Sequence, residues 1–170
     1  MQTTDGSQAP RVLTLRVREV RHTDLDPVVD LVTRVLAEFE LRFGAGSTTD
    51  DEVTRLPGSY SDHGGAFWVA ADDAEQILGT CGAFPVAPSV YELRKMYLLP
   101  AARGSGAGRR LLETCVAWAR ARGAHRLVLD TTEQMERAIA FYEKHGFVRD
   151  DAQIRGSRCS RGYALDLRVG

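Results

Sequence analysis

The spacing of hydrophobic residues changes along the chain, and this spacing predicts its secondary structure. Between residues 11 and 21 apolar and polar positions alternate, which is typical of a half-buried strand. Between residues 28 and 39 the apolar positions recur every three or four residues, as in a helix with one buried face. That face is predicted to contain Val28, Leu31, Val32, Val35, Leu36 and Phe39.

The middle of the chain predicts short β-segments. Residues 50–60 predict one short helix, interrupted by a Pro-Gly pair. The apolar run at 66–71 and the segment at 77–84 predict a hairpin, whose second strand is expected to end at the prolines that follow. Residues 91–98 predict a regularly alternating strand, with Glu92, Arg94, Met96 and Leu98 on one face and Tyr91, Leu93, Lys95 and Tyr97 on the other.

The second half alternates helices and strands. An amphipathic helix is predicted from Arg109 to about Gly123, then a short strand at 127–129, a helix that stops at Gly146, and a last strand that ends near Val169. The fold class is therefore α/β or α+β. The early hairpin favours a mixed, mostly antiparallel sheet of six to seven strands, flanked by about four helices.

Length, charge and cysteine content limit the number of domains and the classes of binding partner that we expect. At 170 residues we expect a single domain over residues 11–170, after a loose polar tail at 1–10. A net charge of −1 provides no general attraction for nucleic acid or anionic lipid, and no apolar run is long enough to span a membrane. Three widely spaced cysteines fit neither a disulfide framework nor a zinc site, so we expect a cytoplasmic protein.

A glycine-rich loop, Arg103 to Gly108, separates the strand at 91–98 from the next helix. Free backbone N–H groups and the start of a helix form a favourable site for a phosphate. A nucleotide-binding P-loop would need Gly-Lys-Ser/Thr, which is missing here. A dinucleotide-binding fingerprint stays open, because Asp130 lies near the expected spacing, although Arg109 replaces its third glycine. A plain turn without a ligand also stays open.

Two motifs resemble those of the GNAT superfamily of acetyl-CoA-dependent N-acetyltransferases. Residues 92–108 are similar to its central strand–loop–helix motif, in which Arg103, Gly106 and Gly108 match fixed positions. Residues 138–147, Ala-Ile-Ala-Phe-Tyr-Glu-Lys-His-Gly-Phe, are similar to its second signature. One departure is Met135, where many members have Asn.

The resemblance implies a function and a site. In the family the strand before the loop bulges and parts from its neighbour, so the Leu98 N–H is expected to polarise the acetyl carbonyl. Tyr142 is the expected acid for the departing thiolate, with core packing as the alternative. Glu92 is the candidate base, with a simple ion pair to Arg94 as the alternative. Acetyl-CoA is expected to contact Met96, Tyr97, Leu98, Arg103, Gly104, Ser105, Gly106, Ala107, Gly108, Arg109, Ala138, Phe141 and Tyr142.

The acceptor is predicted less sharply. We expect direct transfer to a primary amine of a small or amino-acid-like molecule, without a metal, in a protein that can form a homodimer. Specificity is expected from residues 42–65 and 153–161, which are the least patterned segments. Tyr60, Phe67 and Trp68 can border the acceptor pocket, but core packing explains Phe67 and Trp68 equally well. A binding module that senses acetyl-CoA without turnover is the alternative function.

Overall fold

The computed structural model describes residues 13–169, which fold around one seven-stranded sheet. The sheet has the order β1-β2-β3-β4-β5-β7-β6, and only the β4–β5 pair is parallel among these strands. The tail predicted at residues 1–10 lies outside the described residues. The strands are β1 (Leu15–Glu19), β2 (Ala66–Asp72), β3 (Ile77–Ala87), β4 (Val90–Leu98), β5 (Arg126–Thr131), β6 (Val148–Arg149) and β7 (Arg161–Asp166).

Five α-helices flank this sheet within the described residues, and two of them are single turns. The prediction of a mixed, mostly antiparallel sheet is confirmed, and the dinucleotide alternative is wrong because it needs a mostly parallel one. The helix predicted at 50–60 is two separate turns. The helices are α1 (Leu25–Ala37), α2 (Asp50–Val53), α3 (Gly58–Ser61), α4 (Ala107–Ala121) and α5 (Glu136–Lys144).

The core lies where α1 and α4 pack on the central strands β3 and β4. The predicted face of α1 is buried, except that Phe39 follows the end of the helix and is only partly buried. On α4 the buried residues repeat at the helical period, as the sequence predicted. The buried residues of the two helices are Val28, Leu31, Val32, Val35 and Leu36 on α1, and Ala107, Gly108, Leu111, Leu112, Cys115 and Ala119 on α4.

Several strand ends differ from the prediction. Strand β3 continues past Pro85, which pairs with Tyr91. The last pair between β2 and β3 is Ala66–Ala83, so β3 is paired on one side only at Pro85, where a residue without an N–H is tolerated. Strand β7 ends before Val169, which is exposed, and β6, with only two residues, was not predicted.

None of the helices within residues 13–169 combines the length and the apolar character needed to cross a bilayer.

Candidate active site

A β-bulge interrupts the middle of β4. The register of its pairing with β3 shifts between Thr80 and Gly82, so Lys95 and Met96 together face one residue of β3. Lys95 has a φ of 52°, in the left-handed region, and its carbonyl accepts a hydrogen bond of 2.7 Å from Thr80 Oγ1. The bulge therefore gives β4 a kink at a fixed position.

The bulge corrects the predicted faces of this strand. Glu92 and Arg94 share a face, because their side chains form an ion pair at 2.5 Å. Regular alternation would continue that face to Met96 and Leu98. The extra residue at Lys95 ends this alternation, so the prediction of one continuous face is wrong beyond Arg94.

Strands β4 and β5 part beyond Glu92. Their pairing covers only residues 90–92 of β4 and 126–128 of β5. Leu99 N–H donates to the Leu78 carbonyl of β3 at 2.9 Å. Because neighbouring backbone groups of a strand point to opposite edges, the N–H and carbonyl of Leu98 face the gap towards β5. The Leu98 carbonyl there accepts two hydrogen bonds from Arg103, at 3.0 and 3.1 Å.

A cavity of about 440 Å³ follows this gap from the bulge to the glycine loop. Its walls come from β4, α1, α5 and the start of α4, and most of them are apolar. Nine of the predicted cofactor contacts line it, whereas Ser105, Gly106, Ala107 and Arg109 do not. The lining residues are Val35, Phe39, Met96, Tyr97, Leu98, Arg103, Gly104, Gly108, Met135, Arg137, Ala138, Phe141 and Tyr142.

The glycine loop lies exposed at one end of this cavity. Gly104 and Gly106 have φ angles of 74° and 86°, which glycine adopts without strain. Within residues 13–169, the N–H groups of Gly104, Gly106, Gly108 and Arg109 donate no hydrogen bond to protein. They lie at the N-terminus of α4, so four donors and the positive end of a helix dipole are available to an anion.

The arginine side chains around the loop have structural partners. Arg103 pairs with Glu38 through two hydrogen bonds of 2.8 Å, besides its bonds to Leu98. Arg110 donates to the carbonyl of Leu15 in β1. The positive charge of Arg103 and Arg110 is therefore engaged, and the free donors of the loop are backbone groups.

A second, smaller cavity of about 180 Å³ joins the first. The two segments predicted to set specificity both line it, through Gly46–Thr49 and through Arg155, Gly156, Arg158 and Cys159. Both cavities share Met96, Tyr97, Met135, Ala138 and Tyr142. A ligand in one cavity can therefore contact a ligand in the other.

Tyr142 stands at the junction of the two cavities. It lies on the buried face of α5, packs edge-to-face against Phe141 and Phe147, and is only 6% exposed. Burial raises the pKa of its phenol well above the ordinary value of 10, so it keeps its proton at neutral pH. A protonated hydroxyl in this place can donate to a neighbouring sulfur or oxygen atom.

Glu92 lines the second cavity, and its side chain is 5% exposed. Its Oε2 accepts from Arg94 Nε at 2.5 Å, while its Oε1 lies 3.6 Å from Arg155 Nη1. Arg94 also pairs with Glu52 at 3.0 Å. Glu92 is thus both a cavity residue and a member of the ion pair predicted as the alternative.

Asp50 organises one wall of the second cavity, a role that the sequence did not indicate. The sequence predicted only that a short helix begins there, but the residue is fully buried. Its carboxylate pairs with Lys95 of the bulge and accepts hydrogen bonds of 3.1 Å from Arg158. Burial alone would raise the pKa of Asp50; the charge of Lys95 and hydrogen bonds from Lys95, the Gly44 N–H and Arg158 hold it below its ordinary value.

Other candidates from the sequence lie away from the cavities. Tyr60, Phe67 and Trp68 are buried in the core and line neither cavity, so core packing was the correct alternative for Phe67 and Trp68, and Tyr60 is a core residue as well. Residues 13–169 contain no cluster of three His, Cys, Asp or Glu side chains placed to hold a metal ion.

Comparisons with known proteins agree with this geometry. The chain is 34% identical over 139 residues to the uncharacterized N-acetyltransferase YjgM of Escherichia coli, covering 79% of this chain and 83% of YjgM. Its fold matches a GNAT-family acetyltransferase from Staphylococcus aureus at a TM-score of 0.83, with 19% identity, over 91% and 99% of the two chains. It also matches yncA of Salmonella typhimurium, solved with its cofactor acetyl-CoA, at a TM-score of 0.72 and 17% identity, over 90% and 94%. The model of the acetyltransferase (GNAT) family matches residues 32–147, and the chain therefore belongs to that family.

Proposed function

We propose that this protein transfers the acetyl group of acetyl-CoA directly to a primary amine of a small molecule. One observation carries the proposal. A cavity of about 440 Å³ follows the parted strands from the exposed N–H groups of the glycine loop to a second cavity. This arrangement suits a long coenzyme whose charged end and reactive end lie far apart, with an acceptor entering from the other side.

The donors of the glycine loop suit the coenzyme's diphosphate. Four N–H groups, from Gly104, Gly106, Gly108 and Arg109, have no acceptor within the described residues. Hydrogen bonds to a charged acceptor are about twice as strong as neutral ones, so a diphosphate would gain most from this set. The pantetheine arm would then follow Met96, Tyr97 and Leu98. The coenzyme supplies an activated acetyl thioester, and the acetyl-CoA in yncA supports the assignment.

Three groups of this chain would act on the reaction. The Leu98 N–H, which faces the gap, would donate to the thioester oxygen; one such donor contributes ~3 kcal/mol in other enzymes. Glu92 would accept the proton of the ammonium, directly or through a water, because an amine with a pKa of ~10.4 is mostly protonated at neutral pH. As nitrogen bonds to the carbonyl carbon and the C–S bond breaks, Tyr142 would donate its proton to the departing sulfur, and the second proton that the nitrogen loses on forming the amide would return to the Tyr142 oxygen.

The size of the second cavity supports a small acceptor. At about 180 Å³, between the loop at 46–49 and the loop at 155–159, it has room for a compact molecule. The cysteine nearest to it, Cys159, has its pKa raised to about 12 by burial and by Asp130, so it is a poor nucleophile. Direct attack by the amine therefore fits better than a covalent acetyl-cysteine.

Release of the free thiol of CoA tests the proposal. Purified protein with acetyl-CoA and a panel of amines, amino acids and short peptides should release thiol only when an acceptor is present. Acetyl-CoA should also raise the melting temperature, whereas NAD(P) should not. If acetyl-CoA raised the melting temperature but no acceptor were turned over, the result would favour a binding module that senses acetyl-CoA and contradict acetyl transfer.

A further inference from the structure

Two complementary charged groups in the second cavity face each other at a spacing longer than a hydrogen bond. Arg155 Nη1 lies 3.6 Å from Glu92 Oε1. Within residues 13–169 the guanidinium of Arg155 donates no hydrogen bond, and Oε1 of Glu92 accepts none. The two groups form a salt bridge without a hydrogen bond, so the N–H groups of the guanidinium and Oε1 of the carboxylate can still form hydrogen bonds to a ligand in the cavity.

The other charges of the same cavity are engaged. Arg94 is held between Glu92 and Glu52, and Lys95 is held by Asp50. Asp130 accepts two backbone N–H groups, from Arg155 and Gly156, each at 2.7 Å. These two bonds fix the backbone from which the Arg155 side chain projects, so the guanidinium is positioned although its side chain is 43% exposed.

We propose that the acceptor is an α-amino acid, whose carboxylate is bound by Arg155 and whose amine is bound by Glu92. The inference rests on the proposed acetyl transfer and names its substrate class. An α-amino acid carries its two charges on one carbon, so they are separated by about the same distance as these two groups. A guanidinium binds a carboxylate through two parallel N–H bonds, which an uncharged acceptor cannot form; a longer amino acid would have to fold back to reach both groups at once.

The arrangement also favours release of the product after transfer. Glu92 holds the ammonium in the cavity that joins the coenzyme channel at Tyr142. After transfer the nitrogen is an uncharged amide, so the Glu92 contact loses its charge while the Arg155 contact remains. The acetylated product is then held by one ionic contact instead of two, which favours its release.

The test compares acceptors that differ only in the carboxylate. L-alanine and L-leucine are assayed beside their carboxamides, and 4-aminobutyrate tests the spacing of the charges. The wild-type protein should prefer each free acid by at least about tenfold in kcat/KM, equivalent to about 1.4 kcal/mol. The amine of a carboxamide loses its proton more easily, so basicity alone would favour the carboxamide. Equal rates for acid and carboxamide, or a preference for 4-aminobutyrate, would overturn the proposal.

Variants assign the preference to Arg155. Arg155→Gln should raise KM for the free acid and abolish the preference, and Arg155→Lys should restore part of it. Arg149→Gln is the matched control, because Arg149 pairs with Asp151 on the surface and lines neither cavity. If Arg155→Gln keeps the wild-type preference, the carboxylate is bound elsewhere and the proposal fails.

A binding measurement separates this proposal from the proposed function. Calorimetry of L-leucine and L-leucinamide, with CoA present, needs no turnover. Binding of the acid that Arg155→Gln weakens, together with no thiol release from any acceptor, would support the subsite and contradict acetyl transfer. Turnover of amines without a preference for the acid would support acetyl transfer and contradict the carboxylate subsite. Absence of both binding and turnover would contradict both.

Discussion

At the scale of single residues, the glycines of the loop can be tested against a glycine outside the site. Gly106 and Gly123 have φ angles of 86° and 73°, and no atom lies within 4 Å of the place where a Cβ would stand at either one. Alanine at either position should therefore cost about 1–2 kcal/mol through backbone strain alone. Only Gly106→Ala should also weaken acetyl-CoA binding, because it moves the free N–H groups.

The measurement for these two glycine variants combines urea unfolding with titration of acetyl-CoA. Gly123→Ala is the control, since Gly123 follows α4 at its other end, far from the loop. The prediction is supported if both variants lose the same stability and only Gly106→Ala binds acetyl-CoA about tenfold more weakly. If both variants bound acetyl-CoA like the wild type, the loop would not be the diphosphate site.

Tyr142→Phe tests the proposed acid. The ring stays in its edge-to-face contacts, so stability should change little, while kcat should fall by about 10²-fold or more. Because burial raises the pKa of Tyr142, the wild-type rate should not fall through loss of this proton between about pH 7 and pH 10. A pH–rate profile of both proteins checks this, and an unchanged kcat would leave Tyr142 with a packing role only.

At the scale of elements, α2 and the β4 bulge are joined by the buried cluster of Asp50, Lys95 and Arg158. Asp50→Asn would leave two cations without their shared carboxylate, so it should destabilise the protein by about 3–5 kcal/mol. Asp51→Asn is a matched control in the next position, since that side chain is 76% exposed and its pair with Arg55 contributes at most about 0.5 kcal/mol.

Urea unfolding at several pH values measures the Asp50 effect and its sign. The folded pKa of Asp50 is lowered, so its contribution to stability is present above the unfolded value of about 4 and is lost as pH falls through the folded pKa. The difference between wild type and Asp50→Asn should therefore shrink in acid. If Asp50→Asn lost no more stability than Asp51→Asn, the cluster of Asp50, Lys95 and Arg158 would not hold this wall of the second cavity.

Features that depend on the local spacing of apolar residues were predictable from the sequence. Features that depend on contacts between residues far apart in the chain were not. The faces of α1 and α4 follow from the spacing of apolar residues, which needs no knowledge of the rest of the chain. The role of Asp50 depends on Lys95 and Arg158, which lie 45 and 108 residues further along. The pairing of Arg155 with Glu92 also joins residues far apart in sequence, and neither residue type nor local pattern indicates it.

At the scale of the whole molecule, the sheet brings separate motifs together. Strand β4 is central, and its bulge and its separation from β5 together open both cavities. Local alternation predicted that strand but hid the bulge, because one inserted residue leaves the composition of the segment unchanged. The bulge was implied by the resemblance of residues 92–108 to the family motif, and not by alternation.

Buried tyrosines make the folded molecule sensitive to alkali. Burial raises the pKa of Tyr97 to about 12 and raises those of Tyr60 and Tyr142 further. The stability that these groups contribute is complete below the unfolded value of about 10 and is lost as pH rises through the folded values. Lys95 acts in the opposite direction, because burial lowers its pKa, but it is one group against three. The free energy of unfolding should therefore fall above about pH 10.

Urea titrations between pH 8 and pH 11.5, with tyrosinate absorbance recorded in parallel, measure this dependence. Three of the five tyrosines, Tyr60, Tyr97 and Tyr142, have raised pKa values, so they should ionise only as the protein unfolds, and their absorbance change should coincide with unfolding. Tyr97→Phe should make the loss of stability above pH 10 less steep, because one group with a raised pKa is removed. Ionisation of all five tyrosines in a protein that keeps its far-ultraviolet circular dichroism would contradict the burial of Tyr60 and Tyr142.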